Sequence, residues 1–129
     1  MDKGQLTMDN VLKTEHQRTI QEKSFRFALR MVKLSRCLRE RKTEFVIVNQ
    51  LLRSGTSIGA NVAEGQQAQS KPDFINKMNI ALKEAYETSY WLKLLYAAES
   101  LNTKEYESIA TDCSELERLL IAIIKSAKE

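Results

Sequence analysis

A long run of apolar and small residues, at alternating spacings of four and three, constrains this chain more than any other feature. The run extends over residues 74–95, and its members are Phe74, Met78, Ala81, Ala85, Thr88, Leu92 and Leu95. This period places one side chain per turn on a single helix face, which is the pattern of a seam between packed helices. The stretch therefore predicts a long helix within a helical bundle.

Capping signals mark the starts of the third and fourth helices. Ser70 stands three residues before Asp73, so its hydroxyl can cap a third helix that continues to about Ser100. Asn102, or Thr103 beside it, can cap a fourth helix. The seam of the fourth helix is predicted to contain Tyr106, Ile109, Cys113, Leu116, Leu120 and Ile123. Cys113 is thus interpreted as a small core residue.

The first helix is predicted from about Arg18 to Glu40. Its apolar stripe contains Phe27, Met31, Leu34 and Leu38, and the stripe is widened by Phe25, Leu29 and Val32. Residues 1–18 show no sustained period and are predicted to form a flexible N-terminal tail.

The second helix is predicted from about Thr43 to Glu64, with Gly65 just past its end as a left-handed terminator. Gly55 and Gly59 lie inside this helix, although glycine is a poor helix former. They indicate a position where a neighbouring helix approaches closely.

Four helices with short connectors predict an all-α, up-down-up-down antiparallel four-helix bundle with left-handed crossings, formed by residues 19–129 as a single domain. The sequence contains neither an apolar run long enough to span a membrane nor a signal-like apolar segment at its start. Cys37 and Cys113 belong to no CxxC pattern, which favours two free thiols. We therefore expect a cytoplasmic protein that does not contact membranes.

Positive charge is concentrated at the start of the chain. Residues 1–42 contain eleven Lys/Arg and five Asp/Glu, a balance of +6, whereas the remainder has a balance of −3. The outward face of the first helix and the residues after it carry Lys23, Arg26, Arg30, Lys33, Arg36, Arg39, Arg41 and Lys42. A charged helix face is usually only a solvated surface, and that alternative stays open here. Solubility is normally served by mixed signs, however, so this face is also a candidate site for nucleic acid. We find no aromatic stacking platform on it.

A polar edge follows the second helix. Arg53, Ser57, Asn61 and Glu64 fall at spacings of four, four and three. Glu84 and Glu87 lie one turn apart on the third helix and can pair with them. We interpret this set as a structural network that fixes helix register or a subunit contact.

The sequence does not indicate an enzyme. It lacks the paired Glu-x-x-His motifs of di-iron bundles, and its one histidine, His16, falls in the predicted tail without a nucleophilic partner. We expect no catalytic residue, no metal site and no cofactor.

Two segments carry a family resemblance. The stretch Arg53-Ser54, Ser57-Ile58 and Asn61-Val62-Ala63-Glu64-Gly65 closely resembles the RS-x-x-SI-x-x-NIAEG signature of the 23S rRNA intervening-sequence protein family, also called four helix bundle proteins. Residues 80–88, followed by Tyr90-Trp91-Leu92, are similar to the EA-x-ET-x-YWL pattern of that family. The chain departs from the family before the second helix, where many members have Phe-Pro and this chain has residues 41–45, RKTEF.

The resemblance implies a homo-oligomer, with a pentameric ring as the expected assembly, and no established catalytic residues. It also implies a distant likeness to accessory proteins of diversity-generating retroelements, which bind nucleic acid and a reverse transcriptase. The leading hypothesis is a non-enzymatic homo-oligomer that binds RNA or DNA through the basic face of the first helix. The alternative is a protein–protein adaptor, for example for a polymerase, that does not itself contact nucleic acid.

Overall fold

The computed structural model describes the backbone of residues 8–129, and it describes side chains at 15, 16 and from 18 onward. Four helices account for almost all of this range: α1 (Met8–Glu40), α2 (Phe45–Gly65), α3 (Lys71–Ala97) and α4 (Thr103–Lys128). Within the described range there is no β-strand. The predicted all-α four-helix bundle is confirmed.

Each helix packs against two neighbours, so that α1, α2, α3 and α4 stand at the corners of a square. Neighbouring helices run antiparallel. On the α1–α2 side, for example, Met31 faces Gly55 and the earlier residue Ser24 faces the later residue Gly59. Because the connectors between consecutive helices are short, the antiparallel square is the simplest arrangement that buries all four apolar faces.

The core is formed by the residues that the three-four spacing predicts. The predicted seam residues of α3 and α4 are almost fully buried, except Phe74 and Tyr106, which are partly buried against the core. Phe27, Met31 and Leu38 of α1 are also almost fully buried. One polar contact crosses this core, where the Thr88 hydroxyl lies 3.0 Å from the Ser54 hydroxyl and both residues are completely buried. Because each hydroxyl also donates to or approaches a carbonyl of its own helix, the pair is satisfied without water.

Helix α1 begins at Met8 and not near Arg18. The predicted start of the first helix is therefore wrong, because the backbone is already helical at residues 8–18, where apolar periodicity is weak. The division into a flexible tail and a bundle domain stays a prediction. Residues 1–7 of that tail lie outside the described part of the chain.

The predicted caps are present. The Ser70 hydroxyl accepts a hydrogen bond from the backbone of Asp73 at 3.2 Å. Asn102 forms a capping box with Glu105, in which each side chain accepts from the other residue's backbone N–H. These bonds satisfy amides that have no partner inside the first turn of a helix.

Left-handed residues end α1 and α3. Lys42 has φ of 60° and Glu99 has φ of 65°, and each is followed by the paired backbone bonds of a Schellman motif. Glycine is the usual residue at this position because it carries no Cβ. The chain thus uses a lysine and a glutamate where a glycine would be less strained.

The prediction that Gly65 is a left-handed terminator is wrong. Gly65 is the last residue of α2, and none of the described glycines has a positive φ. A Cβ at Gly65 would meet the terminal methyl group of Met78 on α3, which is the far end of a flexible side chain. Gly59 is more constrained, since a Cβ there would lie 3.1 Å from the Ser24 carbonyl oxygen, a backbone atom of α1.

Cys113 is a core residue, as its position in the α4 seam predicts. It is fully buried, and its thiol lies 3.4 Å from the Ala85 carbonyl oxygen. Burial raises the pKa of the thiol to about 12. In the described part of the chain, no helix is long and apolar enough to cross a membrane.

Candidate nucleic-acid interface on the first helix

The candidate interface is the side of α1 that faces away from the core. Helix α1 turns Phe27, Met31 and Leu38 inward, which leaves its charged residues around the rest of its circumference. Some of these charges point towards α4 and others towards solvent. The structure therefore divides the eight predicted cations into two groups.

The first group faces α4 and is paired there. Lys23 donates to Glu115 at 2.8 Å, and Arg30 donates to Asp112 at 2.6 Å. Arg30 also donates to the Ser108 hydroxyl at 2.7 Å.

Arg41, which follows α1, donates from its two terminal guanidinium nitrogens to the two carboxylate oxygens of Glu105, at 2.6 and 3.2 Å. This contact raises the pKa of the arginine and lowers that of the Glu105 carboxyl. With Lys23 and Arg30, three of the predicted binding residues are thus ion-paired across the α1–α4 seam. These pairs are partly exposed and contribute about 0–1 kcal/mol each to stability.

The second group has no acidic partner among the residues that the structure describes. Arg39 donates to the amide oxygen of Asn49 at 2.9 Å and keeps its full charge. Arg26, Lys33, Arg36 and Lys42 are exposed, and within the described residues none of them forms an ion pair. Lys33 lies two turns after Arg26 on α1, and Arg36 lies one turn after Lys33. We name these three residues the basic strip.

The polar edge of α2 meets α3, but only part of the predicted network is present. Arg53 donates to Glu84 at 3.1 Å and also to Glu87, whose carboxylate accepts a further bond from the Trp91 indole at 3.0 Å. The Trp91 and Arg53 bonds lower the pKa of the Glu87 carboxyl. This cluster joins α2 to α3, and Gln50 extends it by accepting from the Arg53 Nε at 3.1 Å.

The remaining predicted members lie apart from this cluster. Glu64 accepts from Lys77 at 3.0 Å, and Asn61 donates to the backbone carbonyl of Ser57 at 2.8 Å. Within one chain, Ser57, Asn61 and Glu64 are therefore not connected to the Arg53 cluster, and their part in a subunit contact stays a prediction. Spacing along a helix shows which residues share an edge, but one Arg53 side chain cannot extend over the three turns to Glu64.

Part of the predicted apolar stripe of α1 is exposed. Phe25 is 72% exposed and Leu29 is 48% exposed, so the prediction that they widen the core-facing stripe is wrong for both residues. One signal was available: residues two positions apart on a helix do not share a face, so Phe25 and Phe27 cannot both point to the core. Phe25 also places an aromatic ring next to Arg26, which the sequence analysis did not expect on this face.

Phe25 borders an apolar groove between α1 and α2. The groove has a volume of about 660 Å³, and its floor includes Gly59, Ala60 and Ala63 of α2. Gln21, Glu22, Ser24 and Thr56 contribute polar groups to its edges. We name it the α1/α2 groove. Elsewhere in the described chain, no three His, Cys, Asp or Glu side chains are grouped closely enough to hold a metal ion.

By its fold, this chain is a small four-helix-bundle protein. Its first helix carries a charged outer surface. The family model of the 23S rRNA-intervening sequence protein matches residues 16–122. The chain therefore belongs to the 23S rRNA-intervening sequence protein family.

A solved relative supports the same placement. It is a protein of unknown function from the S23 ribosomal protein family of Bacteroides thetaiotaomicron VPI-5482, whose crystal structure was determined at 1.70 Å. Its sequence is 54% identical to this chain, the match covers 85% of this chain and 98% of the relative, and the TM-score is 0.83. No functionally curated protein matches the chain.

Proposed function

We propose that this protein is a non-enzymatic homo-oligomer, with a pentameric ring as the expected assembly, that binds nucleic acid through the outer face of α1. The observation that carries the nucleic-acid part is the basic strip. Arg26, Lys33 and Arg36 are exposed, and within the described residues they have no acidic partner. Their charge is available to phosphates, whereas the charges of Lys23, Arg30 and Arg41 are already balanced by α4.

The physical chemistry of such a strip defines what binding would look like. Contacts to phosphates carry little sequence information, so binding should be weakly sequence-specific. Each phosphate neutralised by a lysine or arginine releases counterions, so affinity should fall steeply as salt is raised. An oligomer would bring several strips onto one strand, which raises avidity without new contacts.

The test compares the wild type with a variant in which Arg26, Lys33 and Arg36 are all changed to Gln. Binding of labelled RNA and DNA is followed by fluorescence anisotropy between about 50 and about 200 mM salt. If the three residues contact phosphates, the slope of log K against log salt should become shallower by about 2–3 units in the variant.

The matched control changes Lys71, Lys104 and Lys125 to Gln, because these three cations are also exposed but lie on α3 and α4. Both variants lose three positive charges. If the control variant weakens nucleic-acid binding as much as the strip variant does, the binding depends on net charge and not on the α1 surface. If the wild type binds neither RNA nor DNA at about 50 mM salt, the nucleic-acid part of the proposal is wrong.

A second candidate is the adaptor function, which one observation favours. Phe45 and Val46 at the start of α2 are 67% and 63% exposed, and they form an apolar pair on an accessible helix end. Such a pair can dock against a partner protein. If the protein is an adaptor, the double variant Phe45→Ser with Val46→Ser should no longer retain the partner in a pull-down. Its binding to nucleic acid should be unchanged.

A further inference from the structure

Two exposed apolar surfaces on opposite sides of the bundle require an explanation. The first is the α1/α2 groove, which Phe25 lines, with the exposed Leu29 one turn further along α1. The second is a pair of tyrosines on the outer face of α3, Tyr86 and Tyr90, which are 50% and 58% exposed. Because α3 packs against α2 and α4 but not α1, its outer face lies across the bundle from α1.

The two surfaces overlap in height at one end of the groove, the end that Ala28 and Thr56 line. Ser24 of α1 lies against Gly59 of α2, and Ser54 of α2 meets Thr88 of α3. Following these antiparallel contacts places Tyr86 at the level of Phe25 and Leu29, with Tyr90 one turn further along. Two subunits standing side by side in parallel would therefore bring the groove of one against the tyrosines of the next.

The chemistry of the two surfaces also matches. On the α2 side, Gly59, Ala60 and Ala63 give the groove a lining of small residues, which leaves space for a ring. Its volume of about 660 Å³ is in the range of pockets that enclose a ligand of several rings. A tyrosine needs a hydrogen-bond partner for its hydroxyl when its ring is buried. Glu22 and Thr56 line the groove and can supply one.

We propose that the α1/α2 groove of one copy of this chain receives Tyr86 and Tyr90 of a second copy. Since the two surfaces differ, the contact is head-to-tail and not two-fold symmetric, which is the geometry that builds rings. This inference rests on the homo-oligomer of the proposed function and identifies its interface. The basic strip begins beside the groove at Arg26, so each subunit contact would place positive charge along its rim.

Two variants each block one side of the contact. Phe25→Glu places a charge at the groove, and the double variant Tyr86→Glu with Tyr90→Glu places charges on the tyrosine face. All three residues are at least half exposed in the chain, so the fold should survive, as circular dichroism would verify. Ile121→Glu is the matched control, because Ile121 is 46% exposed on α4 and belongs to neither surface.

Mass-resolved size exclusion then gives a distinctive outcome. Each blocked variant should self-associate at least about tenfold more weakly than the wild type, while Ile121→Glu assembles normally. Mixing the two blocked variants should produce a dimer and nothing larger, because only one groove and one tyrosine face in each pair remain intact. A two-fold symmetric contact would give no such complementation.

Other outcomes overturn the inference. If the wild type assembles and both blocked variants assemble equally well, the interface lies elsewhere, although the homo-oligomer stands. If the wild type is a monomer at all concentrations, the homo-oligomer itself fails. If Phe25→Glu lowers nucleic-acid affinity without changing assembly, the groove faces nucleic acid and not a second copy.

Discussion

Replacing Gly59 by alanine tests the close approach of α1 and α2 most directly. In an open helix the change should stabilise the protein by roughly 1 kcal/mol, because alanine is the better helix former. In this bundle the added methyl group would lie 3.1 Å from the Ser24 carbonyl oxygen and 3.3 Å from its carbonyl carbon. Both atoms belong to the backbone, so no side-chain rotation can remove the contact.

The magnitude follows from two opposing contributions. Forcing a methyl group into a packed interface costs typically 1–3 kcal/mol, because the helices must separate by a few tenths of an ångström. Subtracting the gain in helix propensity of roughly 1 kcal/mol leaves a net loss of about 0–2 kcal/mol. The sign is thus opposite to the one that helix propensity alone predicts.

The assay is urea unfolding followed by circular dichroism, at several protein concentrations so that any assembly is taken into account. Ala60→Gly serves as the control, since Ala60 is the next residue of α2 and is exposed. This variant measures the propensity contribution at almost the same place, and it should lose roughly 1 kcal/mol. If Gly59→Ala instead stabilises the protein by that amount, packing against Ser24 is not the reason for the glycine.

Three further outcomes are expected. The contacts with Trp91 and Arg53 hold the pKa of the Glu87 carboxyl below its ordinary value, so Glu87 adds stability that is present above the ordinary pKa and is lost as pH falls through the lowered one. Glu87→Gln should flatten this acid-side dependence of the free energy of unfolding in urea titrations. Glu99→Gly should stabilise the protein by about 0.5–1 kcal/mol by removing the strain of a left-handed glutamate, and a loss of stability would contradict the Schellman assignment. A thiol reagent near neutral pH should modify the exposed Cys37 but not Cys113, whose buried thiol has a pKa of about 12, until denaturant is added; two fast thiols in the native protein would contradict the burial.

Local signals in the sequence predict much of the fold. The capping box at Asn102 and the cap at Ser70 depend on residues three positions apart, so they can be read without knowledge of the tertiary structure. The core seam of α3 is equally local, because a three-four spacing fixes one face of a helix. The start of α1 at Met8 is not predicted, because the residues there carry no clear period.

The candidate site is harder to predict, because its properties depend on contacts between helices. Whether Arg30 is free or paired depends on Asp112, which is distant in sequence and becomes its neighbour only through the register of α1 against α4. The role of Phe25 is ambiguous for a related reason. A wide apolar stripe on one helix can be a single broad core face or a core face beside a second surface, and hydrophobicity alone does not separate the two.

The ion pairs between α1 and α4 have a consequence for the proposed binding of nucleic acid. Asp112 and Glu115 occupy, on Arg30 and Lys23, the positions that phosphate oxygens would take. These two carboxylates compete with phosphates for the cations, since the fold holds them beside the cations at a high effective concentration. A strand that extends from the basic strip towards α4 must displace them. Changing Asp112 to Asn and Glu115 to Gln should therefore tighten nucleic-acid binding and add up to about two units to its salt dependence, measured by the same anisotropy titration. Unchanged binding would show that the strand stays on the far side of α1.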